Sequence, residues 1–232
     1  MDRGLEKEAC VKYSHAWPLR HKGRGHPWRE MMSNVWMMIL GAAVAYLLGS
    51  ISFSMLFSKY LKHDDVRAHG SGNPGTTNML RTYGWKYGLA TLVCDVLKGA
   101  LAALIGYWLA GEDGMYLAAV MVVVGHNFSC FLRFRGGKGI AAAIGAYLVM
   151  QPIPSLIIIA CCLVLVFITR IMSVGTITGM IANAVVTCCI SGGNWTWNAA
   201  SIIIAVLTVY AHRDNIKRLL RGEENRLSFS KR

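Results

Sequence analysis

Long uninterrupted blocks of apolar residues constrain the fold of this chain more than any other feature. Hydrophobic residues make up 54% of its 232 residues and charged residues only 16%, whereas a soluble domain usually carries about 25% charged residues. A helix that spans a bilayer needs about 20 predominantly apolar residues in a row. Because such blocks dominate over amphipathic stripes, we expect an all-α integral membrane protein with a single membrane domain.

Seven apolar blocks can be drawn, and they predict about seven transmembrane helices. The fourth block is short and is followed by Pro152 and Pro154. We therefore expect it to form a partial or strongly buried helix, which protein or a water-filled cavity covers. The blocks run over residues 35–57, 86–110, 115–132, 139–151, 153–169, 173–191 and 195–211.

The basic residues predict an orientation in the membrane. On one side, the loops at 111–113, 151–154 and 191–196 contain no Lys or Arg, whereas the loops of the other side and the tail at 212–232 are basic. Because cytoplasmic loops retain Lys and Arg, we predict that the N-terminus is outside and the C-terminus is cytoplasmic. Topology and attraction to anionic membrane lipids explain the net charge of +12, so no nucleic acid is expected as a partner.

Residues 1–34 do not fit this charge pattern. They carry seven basic residues on the predicted outer side, and they lack helical periodicity. We predict a disordered extension, and we expect translation to begin at Met31 or Met32, so that residues 1–30 precede the true start. An intact mass of native protein that begins at Met1 would contradict this expectation.

The first of three polar clusters lies at residues 69–81, HGSGNPGTTNMLR. Its glycines allow close approach of the backbone, and its Ser, Thr and Asn side chains offer short hydrogen-bonding groups. Arg81 adds a fork of donors that suits a phosphate. A GxGxxG match at 70–75 is weak, because no βαβ unit surrounds it. We predict an anion site at the membrane surface, and the alternative is a flexible surface loop.

The second cluster lies at residues 125–139, GHNFSCFLRFRGGKG. Gly136 and Gly137 predict a tight turn before a helix that starts close to Lys138. Free N–H groups at the start of that helix favour an anion. The alternative is that these are ordinary basic residues flanking a membrane helix on the cytoplasmic side. That alternative accounts for Arg133 or Arg135 more readily than for Lys138 within GGKG.

The third cluster lies at residues 212–226, HRDNIKRLLRGEENR, where the last apolar block ends. At helical spacing, His212 and Asn215 share one face. An amphipathic tail on anionic lipid does not explain a histidine and an amide at the membrane edge. It does explain the basic residues Lys217, Arg218 and Arg221.

The predicted topology places all three clusters on one side of the membrane. Two further charged residues, Asp95 and Lys98, lie one helical turn apart inside the second block. A charge inside a membrane is costly unless it is paired or functional. Either the two residues neutralise each other, or the Lys98 side chain reaches the site.

These three clusters, in this order and topology, resemble the PlsY family of bacterial membrane glycerol-3-phosphate acyltransferases from about residue 35 to residue 226. The resemblance implies a seven-helix protein of the bacterial plasma membrane with its active site on the cytoplasmic side. It also implies that acyl phosphate donates an acyl group to the 1-hydroxyl of glycerol 3-phosphate, which gives lysophosphatidic acid for phospholipid biosynthesis. Ser129 departs from the family pattern, which has Pro there.

The resemblance also implies roles for individual residues. Those closest to the chemistry are Ser71, Arg81, Lys138, His212 and Asn215. The phosphate cradle and the other substrate contacts are assigned to Gly72, Asn73, Gly75, Thr76, Thr77, Asn78, His126, Gly136, Gly137 and Arg213.

The expected reaction joins two anionic substrates, so cations must offset their repulsion. The attacking alcohol must lose a proton, and the candidate bases are His212, His126 and a substrate phosphate. No Ser-His-Asp arrangement is visible in the sequence, which favours direct transfer over an acyl-enzyme on Ser71.

A competing class is a small transporter or channel for anions, which would also place glycines, amides and cations near a bilayer. The clusters lie at one membrane face rather than at the midplane, and no inverted repeat is visible, so the enzyme is favoured. The acidic residues are scattered, and we expect neither a metal nor another cofactor. The expected protein is a monomer.

Overall fold

The structure is a computed structural model that describes the backbone of residues 27–227 and the side chains from residue 34 onward. Every regular element in this part of the chain is helical, which confirms the predicted all-α fold. The helices are α1 Pro27–Ser50, α2 Phe53–Leu61, α3 Thr76–Tyr83, α4 Trp85–Asn127, α5 Ile140–Met150, α6 Pro152–Thr169, α7 Met172–Ile190, α8 Trp195–Ala211 and α9 Arg213–Leu220.

The first apolar block forms two helices instead of one. Helix α1 begins at Pro27, so the backbone of residues 27–34 is helical and the disordered extension predicted for 1–34 is wrong there. The other residues of that predicted extension, 1–26, lie outside the described part of the chain. The helix ends at Ser50, and Ser52 caps α2 by accepting a hydrogen bond from the N–H of Met55 at 3.4 Å.

Helix α4 contains the second apolar block and the third as far as Asn127. Its backbone is non-helical at Ala110 and at Gly111, where φ is +67°. A Cβ added to Gly114 would collide with the carbonyl of Gly106, and this contact is possible only if the chain reverses between them. The two limbs therefore run antiparallel, with the break where the sequence predicts a loop.

Four stretches of the described chain are long and apolar enough to cross a membrane: Asn34–Leu61, Trp85–Leu132, Pro152–Thr169 and Met172–Ile190. Helices α5 and α8 are apolar but shorter. The face of α5 that contains Ala142, Ala146 and Tyr147 is buried in the core, in agreement with the prediction for the short fourth block.

Small residues bring the central helices into backbone contact. Gly99 of α4 faces the backbone of Ala142 on α5, and Gly145 of α5 faces the backbone of Val96 on α4, so that a Cβ at either glycine would collide with a carbonyl oxygen. Such close approach is the usual way in which membrane helices gain packing energy. It fixes α5, and the loop before it, against α4.

The buried charges of α4 neutralise each other. Lys98 Nζ lies 2.8 Å from Asp95 Oδ1. It also donates hydrogen bonds to the carbonyls of Gly49 at 3.1 Å and Ile51 at 2.5 Å. Helix ends leave carbonyls without a partner inside the helix, so Lys98 satisfies the end of α1 and stabilises the break before α2.

We expect Lys98→Ala to destabilise the protein by about 3–5 kcal/mol, because it leaves the Asp95 carboxylate buried without a partner. The measurement is the midpoint of thermal unfolding in detergent. Lys59→Ala, on the exposed face of α2, is the matched control and should leave the midpoint unchanged. A Lys98→Met and Asp95→Leu double variant should recover the part of the loss that comes from the unpaired carboxylate, and a double variant as unstable as Lys98→Ala would contradict the pairing of Lys98 with Asp95.

Candidate active site

The three polar clusters meet at one end of a cavity of about 450 Å³. Its polar end is formed by the loop before α3, the start of α5 and the α8–α9 junction, and its longer part is an apolar wall from α4, α5, α6 and α7. Of the residues predicted for the site, the cavity is lined by Ser71, Asn73, Gly75, Thr76, Thr77, Asn78, Arg81, His126, Lys138, His212 and Asn215.

The side chain of Asn78 organises the loop of the first cluster. Its Nδ2 donates to the carbonyls of Val66 at 2.9 Å and His69 at 3.0 Å, and its Oδ1 accepts from the N–H of Ser71 at 3.0 Å. The amide is buried, and its two ends are both occupied within the loop. Asn78 thus fixes the backbone at Ser71, and Ser71 and the start of α3 line the cavity.

A hydrogen-bonded chain links the second and third clusters. Lys138 Nζ donates to Asn215 Oδ1, and Asn215 Nδ2 donates to Glu224 Oε1 at 2.6 Å. Because a carboxylate only accepts and an ammonium only donates, this order fixes which end of the Asn215 amide faces each neighbour. Ser173 Oγ donates to the same carboxylate oxygen at 3.1 Å, and Arg218 Nε donates to the other at 2.8 Å.

Glu224 and Arg218 are residues of the site that the sequence interpretation missed. Both line the cavity, and the Glu224 side chain is only 5% exposed. The interpretation of Arg218 as a lipid-binding residue is wrong, because its side chain is paired with Glu224 in the wall. An acidic residue within the strongly basic third cluster was the available signal for this pair.

The segment after α9 folds back onto the site instead of leaving as a free tail. The N–H of Leu227 donates to the carbonyl of Arg170 at 2.7 Å, and the N–H of Glu223 donates to the carbonyl of Arg218 at 2.8 Å. Arg81 Nη2 reaches the carbonyl of Asn225 at 3.5 Å. The predicted tail at 212–232 is therefore docked through residue 227, and its last five residues lie outside the described part of the chain.

Burial and neighbouring cations change the basicity of Lys138. Desolvation, together with the positive charges of Arg218 and Arg81, lowers the pKa of Lys138 to about 8, and the negative charge of Glu224 opposes this change. Desolvation also lowers the pKa of Arg81. The pocket therefore holds positive charge near neutral pH, and the lysine is the group whose charge changes in the mildly alkaline range.

The structure fixes the tautomer of His212. Its Nδ1 lies 2.8 Å from the carbonyl of Thr208, and since a carbonyl only accepts, Nδ1 carries the proton and Nε2 has the lone pair. Thr176 Oγ1 lies 3.3 Å from that Nε2 in the cavity wall. Burial, together with the charge of Lys138, lowers the pKa of His212 to about 4, so the ring is neutral at pH 7.

Several predicted residues occupy other positions. The N–H groups of Gly136 and Gly137 donate to the carbonyls of Asn127 and His126, each at 3.0 Å. Their donors are therefore already used, and the glycines provide close packing. The Arg213 guanidinium stacks 4.8 Å from the ring of Tyr210 and lies outside the main cavity.

A second, more polar cavity of about 340 Å³ adjoins the first. The two cavities share Ser71, Asn73, Lys138, Asn215 and Arg218 as walls. Gly72, Gly136, Gly137 and Arg213 line this second cavity only.

His126 lies at the inner wall of the main cavity. Its Nδ1 is 3.9 Å from Asp95 Oδ1, and its Nε2 faces Gly137, where a Cβ would collide with the ring. Ser129, at the position where the family pattern has Pro, donates from its hydroxyl to the carbonyl of Ser50 at 2.6 Å. That substitution therefore adds a buried hydrogen bond between α1 and the second cluster.

An apolar cavity that ends in a cationic pocket, within an all-helical fold of membrane-spanning length, defines the class of this protein. It is a membrane protein whose site suits an apolar chain joined to an anionic head group. Comparison with known proteins agrees with this description, since the sequence model of the glycerol-3-phosphate acyltransferase family matches residues 39–222.

Individual relatives are similar over most of their length. The glycerol-3-phosphate acyltransferase of Thermoanaerobacter sp. (strain X514) is 41% identical over 194 residues, which is 82% of this chain and 95% of the relative. The enzyme of Clostridioides difficile (strain 630) is 40% identical over 207 residues, which is 85% of this chain and 98% of the relative.

Two solved structures of PlsY, an integral membrane glycerol 3-phosphate acyltransferase, share the fold. The glycerol 3-phosphate form has a TM-score of 0.77 at 35% identity and covers 84% of this chain and 96% of that protein. The lysophosphatidic acid form has a TM-score of 0.76 at 34% identity, with coverage of 82% and 95%. The chain belongs to the glycerol-3-phosphate acyltransferase family, as its three clusters predict.

We expect Glu224→Ala to destabilise the pocket by about 1.5–3 kcal/mol, because three donors lose a charged acceptor. The midpoint of thermal unfolding in detergent and the acyltransferase activity should both decrease. Glu223→Ala removes the same charge from an exposed neighbour and is the control that should preserve both. Equal effects of the two substitutions would show that the contacts of Glu224 contribute neither to stability nor to activity.

Proposed function

We propose that this protein transfers a fatty acyl group from acyl phosphate to the 1-hydroxyl of glycerol 3-phosphate, with lysophosphatidic acid and phosphate as products. The observation that carries the proposal is the continuity of an apolar cavity with a pocket that holds Arg81, Lys138 and Arg218. A phosphate monoester carries about −1.5 to −2 charges at neutral pH. The apolar part suits the chain, and the three cations suit the two phosphates that must lie close together.

In the proposed reaction, the glycerol 3-phosphate hydroxyl attacks the acyl carbon and the bond from that carbon to the phosphate oxygen breaks. The hydroxyl proton passes to a base and then to the departing phosphate. Support for His212 as this base is the lone pair on its Nε2, which lies 3.3 Å from Thr176 Oγ1, while both residues line the cavity. His126 lies deeper, against Asp95 and Gly137, which favours a packing role for it. A substrate phosphate is the remaining candidate.

The proposed site faces the cytoplasm, in a fold of seven spans with the N-terminus outside. The reversal in α4 and the short apolar helices α5 and α8 fit that count, and the loops free of Lys and Arg fit that orientation. Leu163 lines the cavity and is 62% exposed, so the cavity also has an opening among the lipid-facing residues of α6. We propose that acyl phosphate enters there, that glycerol 3-phosphate enters from water, and that one chain suffices.

The direct test is formation of lysophosphatidic acid by purified protein from acyl phosphate and glycerol 3-phosphate, in detergent and without any ion gradient. Product should form at a rate proportional to the amount of protein. Mass spectrometry after incubation with acyl phosphate alone should find no acyl group on Ser71. An inactive purified protein would contradict the proposed reaction, and an acylated serine would contradict direct transfer.

We expect Arg81→Ala to raise the KM for glycerol 3-phosphate by about 10–100-fold, because a charged hydrogen bond to phosphate contributes about 1.5–3 kcal/mol. Steady-state kinetics with varied glycerol 3-phosphate measures it. Arg67→Ala is the matched control, since Arg67 is exposed and paired with Asp65 outside the cavity, and its kinetics should be those of the unaltered protein. An unchanged KM in Arg81→Ala would show that Arg81 does not bind the phosphate of glycerol 3-phosphate.

The KM for glycerol 3-phosphate should rise as the pH passes through about 8, where Lys138 loses its proton and its positive charge. Below that pH the lysine is charged, so its contribution to binding is fully present. Lys138→Arg keeps its charge throughout this range and should abolish the alkaline rise, whatever its absolute activity. An unchanged alkaline rise in Lys138→Arg would assign the effect to another group.

A further inference from the structure

The apolar part of the cavity ends at the same level on three helices. Its last lining residues are Leu148 on α5, Ile158 on α6 and Asn183 on α7. About one turn beyond them are two buried polar residues, Gln151 directly after α5 and Ser155 near the start of α6. The cavity therefore ends where the helices change from apolar to polar side chains.

These polar residues form one buried network. Gln151 Nε2 donates to Asn183 Oδ1 at 3.0 Å, and Ser155 Oγ lies 3.4 Å from the same oxygen. Thr187 Oγ1 donates to Gln151 Oε1 at 3.0 Å, and Ser201 Oγ on α8 donates to Thr187 Oγ1 at 3.2 Å. The network connects the junction of α5 and α6 with α7 and α8, at the side of the cavity that is opposite to the cations.

The network forms a firm end wall because both the oxygen and the nitrogen of each amide take part in a hydrogen bond. Asn183 Nδ2 donates to the carbonyl of Gly179 at 2.9 Å, so both ends of this amide are occupied. An apolar group that moved past Asn183 would have to separate buried hydrogen-bonded partners, and an unpaired buried polar group is unfavourable. A wall of apolar side chains would instead yield by small rotations.

We propose that the buried network headed by Asn183 and Gln151 limits the length of acyl chain that this protein accepts. The proposal rests on the proposed function, since it takes the apolar cavity as the site of the acyl chain. Ser173, which contacts Glu224 at the polar end, and Asn183 lie on the same helix. Their separation along its axis is roughly 15 Å at about 1.5 Å per residue. The wall thus stands at a fixed distance from the cations.

The test compares acyl phosphates two carbons shorter and two carbons longer than the donor that the unaltered protein uses best. The readout is the ratio of kcat/KM for the longer donor to that for the shorter donor, which does not depend on the fraction of folded protein. Asn183→Ala removes the wall and should raise the ratio roughly tenfold, as expected for a small change in an apolar pocket. Leu148→Phe adds volume before the wall and should lower it.

Ser201→Ala is the matched control, because Ser201 belongs to the network but does not line the cavity. It should lower the melting temperature and leave the ratio unchanged, and the KM for glycerol 3-phosphate should stay constant in all three variants. An unaltered ratio in Asn183→Ala and Leu148→Phe would overturn the length limit and show that the tail leaves sideways past Leu163. A change of this ratio in Ser201→Ala as large as in Asn183→Ala would also overturn the length limit. An unaltered protein that forms no lysophosphatidic acid would instead overturn the proposed function.

Discussion

The structure depends on an internal anion that balances a cluster of cations at the end of an apolar cavity. Arg81, Lys138 and Arg218 line one pocket, and like charges in a poorly solvated space repel strongly. The Glu224 carboxylate offsets this repulsion and accepts hydrogen bonds from Arg218 and Asn215. The pocket can therefore keep its positive charges close together while no phosphate is bound.

Glycines determine how closely these charges approach one another. The contacts of Gly99 and Gly145 hold α5 against α4, and those of Gly136 and Gly137 hold the loop before α5 against His126. Lys138 follows directly after this pair, so the packing of these glycines positions its backbone, and its side chain hydrogen-bonds to Asn215. A larger residue at any of these four glycines would push α5 or its preceding loop away from α4, because the nearest atoms lie too close for a Cβ.

The cavity has a polar layer at each end, and the two layers differ in their chemistry. The layer near Lys138 contains ionisable groups and adjoins the second, more polar cavity. The layer near Asn183 contains only amides and hydroxyls, which hydrogen-bond to one another. We propose the first layer for a charged head group, whereas both ends of each amide in the second layer are already hydrogen-bonded, which suits a boundary better than a binding site.

The sequence by itself determined the helical membrane fold, the reversal between residues 106 and 114, the family, and most of the polar residues that meet in the cavity. These follow from long apolar blocks and from local clusters, which are properties of contiguous residues. It did not determine that the Asn78 side chain hydrogen-bonds to the loop that precedes it or that the N–H groups of Gly136 and Gly137 donate to backbone carbonyls. Nor did it determine that Arg213 lies outside the main cavity. It also left open whether Lys98 pairs with Asp95 or reaches the site. Only the tertiary structure decided these points, and only it brought Glu224 to Ser173 and Gln151 to Asn183, because hydrogen-bond partners far apart in the chain are chosen by how the helices pack.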